Sequence, residues 1–256
     1  KYDDTLKFHK QIYLGKSKKS NFENIYSKNF QRIVKNIHLP KVKFLKKIIK
    51  KKINLIDLGS GAGHFVKACL DEKINAWGIE ANENLIKFSN KSLQDRLLTI
   101  KNNDLEVLIK KYNINCLSLI FVLEHLPDPN LIFKIFKKSQ LKYLYLALPM
   151  ASLSIYFENL FKNIYPKQLS GTHTHLFTVD SINYLKKKYN LKIIGEWWFG
   201  TDFADLHRAV SLNLKNNNNK EFAKGFSNIF FKHIDKFQSI LDKEKQCSEV
   251  HIILKK

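Results

Sequence analysis

The chain has 256 residues, of which 44% are hydrophobic, so it can bury one substantial core, or one core with a small subdomain. No apolar run approaches the roughly 18 residues that a membrane-spanning helix requires, and the first ten residues lack the apolar core of a signal peptide. The three cysteines are far apart in sequence, which argues against a disulfide framework and fits a reducing cytoplasm.

The formal net charge of +21 comes almost entirely from lysine. Such a charge can indicate a protein that binds nucleic acid or a membrane surface. Proteins that read phosphates and bases favour arginine, however, and the only arginines are Arg32, Arg96 and Arg208. The joint excess of Lys, Asn and Ile is typical of AT-rich coding sequence. We therefore expect no nucleic-acid partner, although a basic surface would attract a small anionic substrate.

In chain order, residues 1–52 form a basic extension that we expect to be helical, and residue 53 begins a regular alternation of apolar and amphipathic segments. Strands that alternate with helices predict a parallel sheet with helices on both faces, and unbroken apolar strands fit burial on both sides. The predicted strands are NLIDLG, INAWGIE, LLTIKNN, CLSLIFVLEHL, KYLYLALP, LKIIGEWWF and the final SEVHIILKK.

Two inserts interrupt this alternation within the predicted domain of residues 53–256. Residues 150–177 are aromatic and contain two nearby histidines, and residues 200–247 separate the sixth strand from the last. Apolar residues recur at helical spacing in the second insert, from Phe222 to Leu241. We expect these helices to pack against the sheet or to form part of a cap over a substrate.

The first strand ends in a glycine-rich loop, DLGSGAG, that runs into a predicted helix. Gly59, Gly61 and Gly63 permit a tight turn and a close approach of the backbone to a ligand. The helix that follows offers free backbone N–H groups, which suit a carboxylate or a phosphate. The spacing differs from the GxGxxG of dinucleotide folds, and no GK[ST] follows as in a P-loop. The loop therefore favours neither NAD nor ATP.

Polar residues follow the next two predicted strands as well. Glu80 ends the second strand, where a carboxylate can accept hydrogen bonds from both hydroxyls of a ribose. Asp104 follows the third strand, where it could accept a hydrogen bond from an adenine amino group. Together with the glycine loop, these residues predict a pocket for an adenosine that carries no phosphates.

These motifs resemble those of class I S-adenosylmethionine-dependent methyltransferases. LIDLGSGAGHF is similar to motif I, WGIEANENLIKFS to the second motif, NNDLEVL to the third, and CLSLIFVLEHLPDPN to the fourth-strand segment. The resemblance covers residues 53–199 and 248–254, and it implies an α/β, Rossmann-like sheet of six parallel strands and a reversed seventh, with helical inserts as a cap. GTHTHLFTVDSINYLKKKYNLKIIG is most similar to the branch of ubiquinone-biosynthesis and sugar O-methyltransferases.

The resemblance implies S-adenosyl-L-methionine as the cofactor and assigns a role to each matching position. The glycine loop would line the methionine end, the end of the second strand would hold the ribose, Asp104 would meet the adenine, and the end of the fourth strand would lie beside the cofactor. One departure is Asn82, where many relatives carry an Asp. The implied cofactor residues are Gly59, Ser60, Gly61, Gly63, Glu80, Ala81, Asp104, Leu105, Phe121 and Val122.

Methyl transfer to a hydroxyl needs a group that takes its proton, and histidine suits that role near neutral pH. His173 and His175 are the preferred candidates, because residues two apart in an extended segment face the same side, and His125 is the next. Glu124 with these three histidines could instead form a metal site from nitrogen and oxygen ligands. Phe121 stands where a further acid would support that alternative, so we predict no metal.

The acceptor is the least determined element. The segment WWFGTDFADLHR interleaves aromatic residues with acids, which suits a stacked sugar, although a buried strand end capped by an aspartate would look the same. We expect O-methylation of a sugar or sugar nucleotide for a bacterial surface polysaccharide. The alternatives are a quinone or phenol acceptor, RNA methylation through the basic surface, and a non-catalytic protein that binds a partner through the helix at 220–245. A homodimer is compatible with the amphipathic inserts.

Overall fold

The computed structural model describes residues 30–93, 95–99, 104–161, 168–169 and 173–256. Most of the predicted N-terminal extension, residues 1–29, lies outside these ranges, as do parts of the first insert. The described remainder of the extension is helical. The domain boundary that we place at residue 52 stays a prediction.

A seven-stranded sheet in the order β3-β2-β1-β4-β5-β7-β6 forms the centre of the protein. Neighbouring strands from β3 to β5 pair in parallel, whereas β7 pairs antiparallel with both β5 and β6. The expected sheet of six parallel strands and a reversed seventh is confirmed. The strands are β1 (Asn54–Leu58), β2 (Asn75–Glu80), β3 (Leu97–Thr99), β4 (Cys116–Ile120), β5 (Tyr143–Pro149), β6 (Lys192–Phe199) and β7 (Glu249–Lys255).

Helices cover both faces of the sheet, and two cores result. Successive strand residues point to opposite faces, so Leu144 and Leu146 enter one core while Tyr143 and Tyr145 enter the other. Within the described ranges, no helix has both the length and the apolarity needed to cross a membrane. The helices are α1 (Phe30–Ile33), a π-helical turn (Val34–His38), α2 (Leu39–Ile48), α3 (His64–Asp71), α4 (Glu83–Leu93), α5 (Leu105–Lys111), a 3₁₀ turn (Leu123–His125), α6 (Asn130–Lys138), α7 (Leu153–Leu160), α8 (Val179–Lys188), α9 (Asp202–Asn216), α10 (Lys220–Phe230), a 3₁₀ turn (Phe231–His233) and α11 (Ile234–Lys243).

The described part of the N-terminal extension belongs to the second core. Val42 and Leu45 of α2 are fully buried there, together with Phe65 of α3 and Tyr145 of β5. The amphipathic pattern of α2 therefore covers one face of the sheet, with its lysines mostly outside. This packing also brings the N-terminal helices beside the glycine loop.

A buried carboxylate fastens the second insert to the rest of the fold. Asp202, the first residue of α9, accepts hydrogen bonds from Ser152 Oγ at 2.5 Å, Ser154 Oγ at 2.9 Å and the Ser248 backbone N–H at 2.9 Å. Gln238 Nε2 of α11 donates at 3.2 Å to Oδ2, the oxygen that also accepts the Ser248 N–H. The carboxylate thus ties the starts of α7 and α9 to the residue before β7.

We predict that Asp202→Ala lowers the free energy of unfolding by about 3 kcal/mol, because it leaves several buried donors without an acceptor. Urea titration followed by circular dichroism measures this change. The exposed Glu244→Ala is the matched control and should change stability by less than about 0.5 kcal/mol. Equal effects of the two substitutions would contradict the anchoring role.

Candidate active site

The glycine loop follows β1 with a left-handed backbone at all three glycines, where φ is +75° at Gly59, +54° at Gly61 and +77° at Gly63. A Cβ atom at Gly59 would lie 2.5 Å from Val122 Cγ2, and one at Gly63 would clash with Leu93. A Cβ at Gly61 would meet no atom of the described residues within 4 Å. Packing thus requires two of the glycines, while Gly61 borders open space suited to a ligand.

The Glu80 carboxylate, predicted to bind a ribose, also holds the glycine loop. Its Oε2 accepts the Gly61 backbone N–H at 2.7 Å, and its Oε1 accepts those of Ala81 at 2.8 Å and Asn82 at 2.9 Å. A carboxylate has about four acceptor positions, so one remains for a ligand hydroxyl. Asn82, which departs from the family pattern, accepts the Asn84 backbone N–H at 3.0 Å and so caps the start of α4.

Two further predicted cofactor residues lie at the start of α5. Asp104 is exposed and is the N-cap of this helix, with its Oδ1 accepting the Glu106 backbone N–H at 2.8 Å. Leu105 is partly buried and packs against the first core. The carboxylate oxygen that does not cap the helix is the one available to an adenine.

The end of β4, where Phe121 and Val122 were predicted to lie beside the cofactor, meets the glycine loop. The close approach of Val122 to Gly59 places this strand end directly beside the loop. Phe121 has a φ of +56°, a conformation that costs of order 1 kcal/mol or more for a bulky residue and that concentrates at functional sites. Its backbone N–H donates to the Ala147 carbonyl at 3.0 Å, which holds the turn to β5.

The sequence analysis missed two buried charges at this edge of the sheet. Asp57 accepts a hydrogen bond from Ser118 Oγ at 2.6 Å, and burial raises the pKa of its carboxyl to about 7. Lys41 of α2 is only 5% exposed, and its ammonium lies 5.1 Å from the centre of the Phe121 ring. Burial lowers the pKa of Lys41, against the attraction of Glu249 and Asp57. No described residue forms a hydrogen bond or ion pair with this ammonium.

A signal for Asp57 exists in the sequence, since an acid interrupts the otherwise apolar NLIDLG. Lys41 carries no such signal, because it is one lysine among many in a basic segment. Only the packing of α2 against the sheet distinguishes it from its exposed neighbours.

Aromatic residues of β6 surround a buried histidine rather than an open surface. A hydrogen bond of 2.7 Å joins His251 Nδ1 to the Tyr145 hydroxyl, and burial keeps the pKa of His251 well below its usual range. The rings of Trp197 and Phe199 lie 5.2 Å and 5.4 Å from the His251 ring. The aromatic side chains of β6 are half-buried and Asp202 is engaged inside the protein, which fits a strand end capped by an aspartate.

A second cluster forms where the 3₁₀ turn after β4 meets the first insert. Glu124 is 1% exposed, and burial raises the pKa of its carboxyl to about 8. Its Oε1 lies 3.8 Å from His125 Nε2, and its Oε2 has no hydrogen-bond partner among the described residues. The ring centres of His125 and His173 are 4.9 Å apart. One potential ligand atom from each of the three residues lies within 4.8 Å of the others, which is close enough to hold a metal ion.

Backbone hydrogen bonds bring His173 to this position. The Glu124 carbonyl accepts the N–H groups of Thr174 at 2.9 Å and His175 at 3.1 Å, so the insert is fixed to the end of β4. Burial lowers the pKa of His173, whose Nδ1 is bonded to the Gln168 carbonyl at 3.0 Å. His175 instead bonds Thr174 Oγ1 at 2.9 Å and faces Phe177. The histidines that meet are therefore His125 and His173, not His173 and His175.

A sheet of this order, with a glycine loop after β1 and an acid at the end of β2, defines a Rossmann-like methyltransferase class. The methyltransferase domain family matches residues 29–196, and the chain belongs to that family. It is a class I S-adenosylmethionine-dependent methyltransferase, and S-adenosylmethionine is its cofactor. The open cradle beside Gly61 and the free acceptor position of Glu80 fit this cofactor. No curated protein matches the sequence.

Solved structures show the same fold at low sequence identity. A SAM-dependent methyltransferase from Archaeoglobus fulgidus is 16% identical, with a TM-score of 0.55, covering 93% of this chain and 100% of its own. Mycolic acid cyclopropane synthase, solved with SAH and CTAB, is 11% identical, with a TM-score of 0.54 and coverages of 85% and 84%. A cyclopropane-fatty-acyl-phospholipid synthase-like protein from Lactobacillus casei is 12% identical, with a TM-score of 0.50 and coverages of 90% and 93%.

We predict that Gly61→Ala weakens binding of S-adenosylhomocysteine by about tenfold or more, because the added Cβ enters the cradle at a left-handed position. Isothermal titration calorimetry measures the affinity, and thermal unfolding should show a loss of only about 1 kcal/mol. The control is Gly225→Ala, which also meets open space but lies in α10. Unchanged affinity in Gly61→Ala would show that the cofactor does not use this side of the loop.

Proposed function

We propose that the protein is an O-methyltransferase that acts on a small hydroxylated acceptor, namely a sugar or sugar nucleotide for a bacterial surface polysaccharide. The observation that carries O-methylation is the pairing of His125 and His173 beside buried Glu124, at the strand end that adjoins the glycine loop. A basic net charge supports an anionic acceptor such as a sugar nucleotide. The finer assignment to the ubiquinone and sugar O-methyltransferase branch rests on the resemblance of residues 171–195.

The cofactor residues predicted from the sequence divide into four groups along the strand ends, of which the last, Phe121 and Val122, would lie beside the cofactor. The glycine loop would hold the methionine end, Glu80 and Ala81 the ribose, and Asp104 and Leu105 the adenine. When bound, S-adenosylmethionine supplies an electrophilic methyl group, which the acceptor oxygen receives. The remaining contribution of the protein is to orient the acceptor and to accept its proton.

Lys41 and Asp57 complement the two charges of a methionine. The methionine end of the cofactor carries a carboxylate and an ammonium, and the structure places one buried cation and one buried acid near the loop that would line it. A buried ammonium with only an aromatic ring beside it is costly, and a ligand carboxylate offsets that cost. We therefore assign the methionine carboxylate to Lys41 and the methionine ammonium to Asp57.

His173 is the proposed base, with His125 beside it and His175 as the alternative. Because burial lowers the pKa of His173, its ring is neutral at physiological pH and can accept a proton from an acceptor hydroxyl. Burial raises the pKa of Glu124 to about 8. Its carboxyl group would stabilise an adjacent imidazolium by charge attraction only after it has lost its own proton. The cluster therefore consists of one neutral acid and two histidines, and these histidines are the groups that would receive the proton of the acceptor hydroxyl.

The same three residues could instead bind a metal ion, as their spacing permits. Our prediction that no metal takes part stays a prediction. Methyl transfer that survives dialysis against a chelator would support it, and activity restored by a divalent cation would contradict it.

Incubation with S-adenosylmethionine and a panel of sugar nucleotides tests the function, with methylated products detected by mass spectrometry. We expect product with the natural protein and a kcat about a hundredfold lower in His173→Asn, with unchanged S-adenosylhomocysteine affinity. The exposed His233→Asn is the control. If the protein methylated a quinone, a phenol or RNA but no sugar nucleotide, the proposal of a sugar acceptor would be wrong. Full activity of His173→Asn would remove this histidine from the mechanism.

For Lys41, we predict that Lys41→Met weakens binding of S-adenosylhomocysteine by about tenfold or more but leaves 5′-methylthioadenosine, which lacks the amino-acid group, unaffected. Stability should change little, because the substitution removes both the cost of burying a cation and its contact with the Phe121 ring. Exposed Lys43→Met on the same helix is the matched control. An equal loss for both ligands would show that Lys41 supports the pocket generally and does not bind the carboxylate.

A further inference from the structure

Exposed lysines are concentrated at one edge of the sheet. The strands β1, β2, β5 and β6 begin at this amino edge, and β7, which runs the other way, ends there. The opposite edge differs, because the segments that follow β1, β2, β4 and β5 contain no lysine, at 59–63, 81–82, 121–129 and 150–152. The exposed lysines at or just before the amino-edge strand ends, which we call the lysine edge, are Lys50, Lys51, Lys52, Lys73, Lys142, Lys192 and Lys255.

Strand pairing arranges these lysines in a row. Lys192 of β6 and Lys255 of β7 are paired residues, and the residue after Lys142 pairs with Lys255 as well. The Asn115 side chain donates to the Lys52 carbonyl at 2.9 Å, and the Asn115 carbonyl accepts the Lys142 N–H at 2.8 Å. Neighbouring strands lie about 4.8 Å apart, so the row from β2 to β6 is about 24 Å long. A small anion would contact only part of a row of that length.

One end of the lysine edge borders a hollow of about 310 Å³ between the ends of α2 and α3. The three lysines at 50–52 line it, together with Lys73 and Lys46. Glu72 also lines the hollow, and it pairs with Lys46 at 2.6 Å. Among the described residues, no acid pairs with the ammonium groups of Lys73 or of the lysines at 50–52. Like charges around one hollow repel each other, and a bound anion offsets that repulsion.

Neither the helix dipole nor the composition of the chain accounts for this concentration. The dipole favours lysine in the last turn of a helix, but the members of the lysine edge lie outside the described helices. AT-rich coding would place lysines at the exposed positions of both edges, whereas the segments after β1, β2, β4 and β5 contain none. The position of these lysines in the fold therefore requires another explanation.

We propose that the lysine edge binds the phosphate backbone of a duplex nucleic acid without reading its sequence. A polymer with closely spaced negative charges can contact a row about 24 Å long. The hollow is lined by lysines, isoleucines, Glu72 and Asn75 and by no aromatic side chain, so it suits phosphates rather than stacked bases. The scarcity of arginine, from which we expected no nucleic-acid partner, bears on the reading of bases. Lysine also contacts the backbone, and such contacts carry no sequence information.

The lysine edge lies away from the cofactor. The strands between the two edges, from five residues in β1 to seven in β5, span about 16 to 23 Å. The glycine loop lies at the far end of β1 from Lys52. The proposal therefore concerns docking of the protein and is independent of the acceptor that the site methylates.

Fluorescence anisotropy of the full chain with a labelled duplex DNA of about 20 base pairs and mixed sequence tests the proposal. We expect micromolar binding near 0.1 M salt, with log K falling against log salt at a slope of about −4 or steeper. The quadruple variant Lys50→Gln, Lys51→Gln, Lys52→Gln and Lys73→Gln should bind about tenfold or more weakly. Its salt slope should be smaller in magnitude by about three, because each lost phosphate contact lowers the slope by about one.

The matched control removes the same number of charges from exposed positions of the second insert, and it should bind the duplex with nearly natural affinity and salt slope. Unchanged S-adenosylhomocysteine affinity and unfolding temperature would show that both variants are folded. The control substitutions are Lys220→Gln, Lys224→Gln, Lys232→Gln and Lys236→Gln.

Three results would overturn the proposal. The first is the absence of binding to the duplex near 0.1 M salt, on the order of physiological ionic strength. The second is an equal loss of affinity in the two quadruple variants, which would reduce the effect to net charge. The third is binding to phosphatidylglycerol vesicles without binding to the duplex, which would assign the lysine edge to lipid head groups instead.

Discussion

The carboxylate of Glu80 holds the glycine loop against the end of β2, and the geometry of the whole candidate site depends on that contact. Three backbone N–H groups converge on it, from Gly61, Ala81 and Asn82. Because Gly59 is pressed against Val122, the same loop fixes the distance between β1 and the end of β4. A single acid at the end of one strand thus aligns the ends of three, and one acceptor position of its carboxylate remains for a ligand.

The second half of the site is held by a different kind of contact. The Glu124 carbonyl accepts hydrogen bonds from two successive N–H groups of the first insert. Asp202 accepts hydrogen bonds from the start of α7 and from the residue before β7. The two residues that follow His173 are thus fixed to the turn after β4. This attachment is what keeps the His173 ring close to that of His125.

The fold could be predicted from the sequence because its signals are local. The apolar runs of β1, β4, β5 and β7 give strands buried on both faces, whereas no residue of β6 is buried. Glycines two residues apart after β1 give a loop with positive φ. The encounter of His125 with His173 depends on hydrogen bonds between segments about fifty residues apart in sequence, which no local pattern records. The argument that His173 and His175 share a side assumed an extended strand, whereas Thr174 turns toward the Glu124 carbonyl and directs His175 elsewhere. The burial of Lys41 could not be predicted from the sequence because lysine is common throughout the chain.

Buried acids give the site an energetic bias toward ligand. Burial raises the pKa of Asp57 from 3.8 to about 7 and that of Glu124 from 4.5 to about 8. Each group favours folding most below its unfolded pKa, and that contribution is lost as the pH rises through the folded pKa. Near neutral pH, and without a ligand, these two acids therefore begin to lose their protons, and burial disfavours the negative charge that results. Burial also disfavours the ammonium of Lys41. A ligand that brings an ammonium to Asp57 and a carboxylate to Lys41 offsets both costs, so binding and folding stabilise each other at this edge of the sheet.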